Sequence, residues 1–100
     1  MDTNELISHS RARFDHHQAR IALREKYQAK FLFAHAGGMW QAGPELLVLL
    51  KCLTGEVVIP DLYETPVRVQ VEKLYELVIA RWQEQLNAWL TEYEELNRNR

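Results

Sequence analysis

The last third of the chain carries one continuous apolar stripe, and this stripe limits the possible folds more than any other feature. Alternating steps of four and three residues meet no polar side chain there; they select Tyr75, Ile79, Trp82, Leu86, Trp89, Tyr93 and Leu96. This is the a/d repeat of a coiled coil, sustained over about three heptads. We call these seven residues the seam. They predict a helix from Val71 to about Leu96, about 40 Å long at 1.5 Å per residue.

A second long helix is predicted at the start of the chain, because the sequence has neither glycine nor proline before Gly37. Asp2 or Thr3 can cap this helix, and Asp2 followed by Glu5 three residues later resembles a capping box. The apolar face is thin at first, with one large residue in seven, and thickens toward Phe31-Leu32-Phe33, where we expect the greatest burial. The apolar residues that recur every seven positions are Ile7, Phe14 and Ile21.

Glycine and proline divide the middle of the chain into short elements. Gly37-Gly38 is predicted to end the first helix with a left-handed cap, and Met39–Ala42 to form a connector or a single turn. Gly43-Pro44 then opens a second helix, with proline at its first position. Because Leu46–Leu53 is apolar on nearly all sides, we expect this helix to be short and buried.

Two β-branched runs follow, and they predict a β-hairpin before the last helix. Val57, Val58 and Ile59 form the first run, and Val67, Val69 and Val71 alternate with polar residues in the second. This pattern is typical of paired strands, with a loop around Tyr63–Thr65. The last helix should begin near residues 70–72, and the tail from Asn97 to Arg100 should fray.

Composition places the chain among soluble, single-domain proteins. One hundred residues suit one domain spanning residues 1–100, and the net charge of −2 argues against a general polyanion binder. A single cysteine, Cys52, excludes an intrachain disulfide and fits a reducing compartment. With neither a signal-like start nor a long apolar run, the sequence leads us to expect a cytoplasmic protein with no membrane association.

The histidines are the first candidates for chemistry. They are His9, His16, His17 and His35. Metal-binding helices usually place two ligands four residues apart, whereas His9 and His17 are eight apart and His16 and His17 point in different directions. A metalloprotein or enzyme built on them is therefore the interpretation that we favour least, and we expect no catalytic residues, no metal and no cofactor.

Two further features allow anion binding as well as a structural role. The glycine-rich segment 37–45 leads into a helix N-terminus, a place where proteins bind phosphate. Glu45 would repel an anion there, and we favour a turn with Trp40 as a packing anchor. The first helix is basic, and Arg13, Arg20 and Arg24 are candidate anion-binding residues. Residues 1–51 carry a charge of +2 and residues 52–100 a charge of −4, so pairing between the two long helices is the simpler explanation.

The seam also has two interpretations. It is either the core between the long helices or, in part, a surface for self-association. Large aromatic residues are enriched at protein interfaces, so the candidate interface residues are Tyr75, Trp82, Trp89, Tyr93, Phe14 and Trp40. The sparse apolar surface near the start of the first helix leaves room for both interpretations.

Three segments carry a resemblance to a known group of proteins. They are His9-Ser10-Arg11-Ala12-Arg13-Phe14-Asp15, Gly37-Gly38-Met39-Trp40 and Asp61-Leu62-Tyr63-Glu64-Thr65-Pro66-Val67. In this order they resemble small uncharacterised proteins of T4-like tailed bacteriophages. The resemblance implies a viral protein, in the host cytoplasm or the virion, that acts by binding in particle assembly or against host machinery. It transfers no site residue.

The sequence therefore predicts a mainly helical α+β protein, with two long antiparallel helices and a short helix and a β-hairpin between them. We expect a non-enzymatic interaction or structural protein that forms homo-oligomers and binds protein partners. The alternative is an accessory protein that binds nucleic acid or a nucleotide through the basic first helix and the glycine-rich loop.

Overall fold

A computed structural model describes residues 3–98. Helix α1 (Thr3–Lys30) is followed by strands β1 (Leu32–His35) and β2 (Gly38–Gln41), helix α2 (Pro44–Lys51), strands β3 (Glu56–Pro60) and β4 (Pro66–Gln70), and helix α3 (Val71–Arg98). The predicted mainly helical α+β fold is confirmed, and α3 runs unbroken through the seam. Asp2, expected to cap α1, and residues 99–100 of the predicted frayed tail lie outside the described residues.

The two long helices pack antiparallel, as predicted. The guanidinium of Arg20 on α1 lies 5.7 Å from the centre of the Tyr93 ring on α3. Further along α1, Lys26 Nζ contacts Glu92 at 2.7 Å. Beyond the end of α1, Arg81 donates a hydrogen bond of 3.4 Å to the carbonyl of Leu32. Residue numbers thus rise along α1 while they fall along α3.

Strands β3 and β4 form the predicted hairpin. They pair antiparallel from Glu56 opposite Gln70 to Pro60 opposite Pro66. The two prolines stand at the loop end of the hairpin, as the last residue of β3 and the first of β4, where proline is tolerated. In β4, Val67 and Val69 are buried while Pro66, Arg68 and Gln70 are exposed, the period-2 pattern of a half-buried strand.

The first helix is shorter than predicted, because β1 and β2 form a second hairpin that the sequence analysis missed. The helix ends at Lys30, and the segment read as a connector, Met39–Ala42, begins within β2. Ala36 and Gly37 both adopt positive φ angles, 54° and 83°. Two such residues between antiparallel strands make a type I′ turn, whose twist matches that of the strands. The glycine therefore closes a hairpin and not a helix.

The side chain of Asp61 joins the two hairpins. Its Oδ2 accepts a hydrogen bond from the Met39 N–H at 3.1 Å, and its Oδ1 accepts bonds from the N–H groups of Tyr63 and Thr65 at 2.9 Å each. In return, the Leu62 N–H donates to the carbonyl of Met39 at 2.8 Å. Both polar groups of the Met39 backbone are thus satisfied by the β3–β4 loop, which explains why β2 stays extended.

The core lies at the end of the molecule where the short elements meet α3. Its largest fully buried side chains are Trp40, Leu50, Leu74 and Val78, whereas Tyr27 is buried outside this cluster, against Trp89. Trp40 is 2 % exposed, and its indole N–H donates to the carbonyl of His35 at 2.9 Å, so the predicted packing anchor is confirmed. The prediction that α2 is buried all round was wrong. Leu50 is buried but Val48 is 64 % exposed, because the helix packs on α3 with one side only.

Candidate interaction surface

A polar and aromatic cluster holds α1 to α3 beyond the core. The rings of Tyr27 and Trp89 stack, with centroids 6.2 Å apart and planes inclined by 6°. The Tyr27 hydroxyl donates a hydrogen bond of 2.6 Å to Glu92 Oε1, and Lys26 Nζ donates to the same oxygen at 2.7 Å. One carboxylate oxygen thus joins two neighbouring residues of α1, which confirms at this point the expected pairing of a basic first helix with an acidic last helix.

The cluster shifts the pKa values of its members in consistent directions. Hydrogen bonds from Lys26 and then from Tyr27 lower the pKa of Glu92, because both stabilise the ionised carboxylate. The same hydrogen bond to Glu92 raises the pKa of Lys26. The hydrogen bond that the Tyr27 hydroxyl donates to Glu92 raises the pKa of Tyr27, and burial of the phenol raises it further. The cluster is therefore most stable with a charged carboxylate, a charged amine and a neutral phenol.

Cations lie over aromatic rings along the same helix pair. Lys26 Nζ and Lys30 Nζ are 5.3 Å and 5.0 Å from the centre of the Tyr27 ring. Six residues before Lys26 on α1, Arg20 lies over the ring of Tyr93. Such contacts are attractive because the ring face is electron-rich. They direct three basic side chains of α1 toward aromatic rings.

The seam is only partly covered by the rest of the chain. The fully buried residues of α3 are Val71, Leu74, Val78 and Gln85, and all seven seam residues are half-buried. The buried residues Val78 and Gln85 each come one position before a seam residue, Ile79 and Leu86, so the seam lies beside the most buried side of α3 and not on it. Because α1 and the short elements cover only the most buried side, part of the seam stays open.

Two adjoining grooves mark this open side. The first, about 190 Å³ in volume, lies between the long helices and is lined by His17, Arg20, Ile21, Arg24, Trp89 and Tyr93; we call it the α1/α3 groove. The second, about 260 Å³, is lined by Leu86, Trp89, Leu90 and Tyr93. Because they share Trp89 and Tyr93, the two grooves form one continuous surface with an aromatic centre. Leu90, at its edge, is 54 % exposed.

The N-terminal part of α1 is exposed on every side. All residues from 3 to 15, which we call the arm, are exposed, so the predicted lower burial of this end is confirmed. The arm includes three large apolar residues, Leu6, Ile7 and Phe14, and Phe14 is 62 % exposed. The molecule is correspondingly elongated, with extents of 66 × 23 × 21 Å and a radius of gyration of 19.3 Å. A compact chain of this length would have a radius of gyration of about 13 Å.

The predicted site residues separate into different regions. Trp89 and Tyr93 form the centre of the grooves, and Tyr75 and Trp82 pack against the core nearer the hairpins. Phe14 lies on the arm, whereas Trp40 is inside the core and offers almost no surface to a partner. Of the candidate anion-binding residues, Arg20 and Arg24 line the α1/α3 groove and Arg13 lies on the arm.

The remaining candidates for chemistry do not assemble. Within residues 3–98, no group of three or more histidine, cysteine, aspartate or glutamate side chains is placed to hold a metal ion. Cys52 is exposed at the end of α2. Gly43 and Pro44 line a separate groove of about 280 Å³ that also contains Glu45, so the structure places an acidic side chain where the glycine-rich loop was considered for anions.

Sequence reasoning missed Tyr27 and the hairpin link through Asp61. The signal for the first was present, because Tyr27 and Lys26 are neighbours on a basic helix and Glu92 sits on the acidic one. The signal for the second was weaker. An aspartate after a proline at a strand end often caps a turn, but nothing local indicates that its second oxygen reaches Met39.

Comparisons with protein-family models, with curated proteins and with solved structures found no match. Among the described residues, no helix is both long enough and apolar enough to cross a membrane. Functional inference therefore rests on the surface formed by the grooves and the arm.

Proposed function

We propose that this protein is a non-enzymatic interaction or structural protein that works by self-association and by binding other proteins through the long helices. The observation that carries the proposal is the half-buried seam, whose aromatic centre at Trp89 and Tyr93 opens into two adjoining grooves. Water-exposed apolar surface of this kind, rimmed by charged residues, is typical of protein-binding sites.

The setting that we propose is viral. The resemblance to small proteins of T4-like tailed bacteriophages supports a phage protein that acts in particle assembly or in interference with host machinery, in the host cytoplasm or the virion. An elongated molecule with an open helical face suits either role, because both depend on binding and not on an enclosed active site.

Light scattering coupled to size-exclusion chromatography tests self-association directly. We expect a mass above that of the 11.8 kDa chain, and the proportion of oligomer should rise with protein concentration. A monomer at high micromolar concentration would refute the proposal.

Leu90→Glu tests the surface, and Leu77→Glu is its matched control. Both leucines are exposed on α3, at 54 % and 38 %, but at 100° per residue they lie about 140° apart around the helix. Burying an unpaired carboxylate is unfavourable, so we expect Leu90→Glu to weaken association at least about tenfold, or about 1.4 kcal/mol. Leu77→Glu should leave association unchanged. Equal effects of the two variants would contradict the assignment of this face.

The alternative function, binding of nucleic acid or a nucleotide, is favoured by one observation. Basic residues and aromatic rings share the α1/α3 groove, where His17, Arg20 and Arg24 stand beside Trp89 and Tyr93. Such combinations bind single-stranded nucleic acid by charge and stacking. Fluorescence anisotropy with a labelled oligothymidine tests it. Binding at low salt that weakens with added salt and with Arg24→Glu would support this function, and no binding at low salt would eliminate it.

A further inference from the structure

The arm extends beyond the end of α3, the helix that packs against the rest of α1. The antiparallel pairing sets Arg20 beside Tyr93, and α3 ends at Arg98. Five residues beyond Tyr93 therefore bring α3 to its end, at the level of about residue 15 of α1. The arm continues for thirteen further residues, about 20 Å at 1.5 Å per residue. A helical segment of that length is marginal in water without packing.

The arm carries an apolar spacing that is complementary to itself. Ile7, Phe14 and Ile21 are seven residues apart and so lie along one side of α1. If a second α1 runs antiparallel with Phe14 opposite Phe14, then Ile7 of each copy lies opposite Ile21 of the other. Ile21 is a wall of the α1/α3 groove, together with Trp89 and Tyr93. The apolar side of the arm thus leads directly to the open surface of the second copy.

The same register repeats the apolar contact: Ile7 of each copy meets Ile21 of the other, once on either side of the Phe14 pair. A contact made twice by the same patch is the self-complementary arrangement of a twofold dimer.

We propose that two copies of this chain form a twofold dimer in which the arm of each lies in the α1/α3 groove of the other. Each copy contributes an arm and a groove, so the contact is made twice. The doubled contact approaches the roughly 20–30 residues that each partner contributes to a stable interface, a number that one arm alone would not reach. The inference deepens the proposed function, because it assigns the occupant of the open surface as a second copy.

Cysteine cross-linking tests the register. In a Cys52→Ser background, which removes the exposed native thiol, Phe14→Cys places one thiol of each copy at the twofold axis. Treated with a short bismaleimide, this variant should run as a covalent dimer on denaturing gels. The controls are Ile7→Cys and Ile21→Cys, each of which should stay monomeric alone and should cross-link to the other when the two are mixed.

The outcomes separate this inference from the proposed function. A parallel pairing would cross-link Ile7→Cys to itself and overturn the proposed arrangement. A wild-type dimer whose Phe14→Cys variant fails to cross-link would also overturn it, while leaving self-association in place. A wild-type monomer at high micromolar concentration would refute both.

Hydrogen exchange of the unmodified protein gives an independent measurement. The arm amides should be protected at concentrations where the dimer forms and should lose that protection on dilution to the monomer. Protection that does not depend on concentration, or no protection in the dimer, would contradict the docking of each arm in the groove of the other copy. This measurement holds even if a cysteine variant folds poorly.

Discussion

The contact between the two hairpins leaves no room for a side chain at Gly38, and Gly38→Ala should therefore destabilise the fold. A β-carbon built at Gly38 would lie 3.0 Å from Val67 Cγ2, 3.2 Å from Asp61 Cβ and 3.3 Å from Asp61 Oδ2. Neither neighbour moves easily. Val67 is buried in the core, and the carboxylate of Asp61 is held by the N–H groups of Met39, Tyr63 and Thr65.

The expected magnitude follows from this crowding. Overpacking one methyl group into a well-packed site costs about 1–3 kcal/mol, and with both neighbours fixed we expect about 2 kcal/mol for Gly38→Ala. For a domain of this size, that corresponds to a fall in melting temperature of roughly 8–16 °C. Because self-association would add concentration-dependent stability, the variants should be compared at one protein concentration.

Gly43→Ala is the matched control. A β-carbon at Gly43 meets nothing within 4 Å, its φ of 168° is extended, and the following Pro44 favours an extended residue before it. Because Gly43 is the N-cap of α2, alanine is less favourable than glycine there, while alanine also restricts the unfolded chain. The two effects oppose each other, so the stability should stay within about 1 kcal/mol of wild type. The measurement is urea unfolding followed by circular dichroism. If Gly38→Ala matched wild type within error, the tight docking of the hairpins would be refuted.

Three further changes probe other contacts. Glu92→Gln removes the charged partner of Lys26. Because the folded-state pKa of Glu92 is lowered, the wild type should be more stable than the variant above the ordinary glutamate pKa, and this advantage should shrink as the pH falls through the lowered value, measured as urea midpoints at pH 7 and across a series of acidic pH values. Asp61→Asn replaces one acceptor oxygen by an amide donor; it should lower the melting temperature at pH 7 and speed hydrogen exchange at the amide of Met39, and unchanged exchange there would count against the link. Trp40→Ala empties the centre of the core and should cost about 3–5 kcal/mol, so a fully folded variant at moderate urea would contradict the assigned burial.

Elements defined by local patterns could be predicted from the sequence. The seam predicted α3, the alternation of Val67 and Val69 between prolines predicted the β3–β4 hairpin, and Gly43-Pro44 predicted the start of α2. In each case the periodicity and the turn residues agree with the final packing.

The β1–β2 hairpin could not be predicted in the same way. A glycine with positive φ ends a helix as readily as it closes a type I′ turn, and Phe31-Leu32-Phe33 continues a helical pattern without interruption. What decides between them is the contact of Met39 with Asp61, twenty-two residues away. Similarly, the seam identifies which residues share a face of α3 but not which neighbour covers that face.

The distribution of buried residues along the molecule connects the fold with the proposed dimer. At the hairpin end, α3 is held by fully buried apolar residues such as Leu74 and Val78, whose burial is the strongest source of stability. Toward the other end, the described contacts between the long helices include the stack of buried Tyr27 on Trp89, the shared carboxylate of Glu92 and cation–ring contacts. The exposed charged contacts among these contribute little each. The arm, whose residues are all exposed, has even less burial to stabilise it. A single copy should therefore open from the arm inward, and the surfaces left incomplete, the arm and the α1/α3 groove, are those that a second copy would complete.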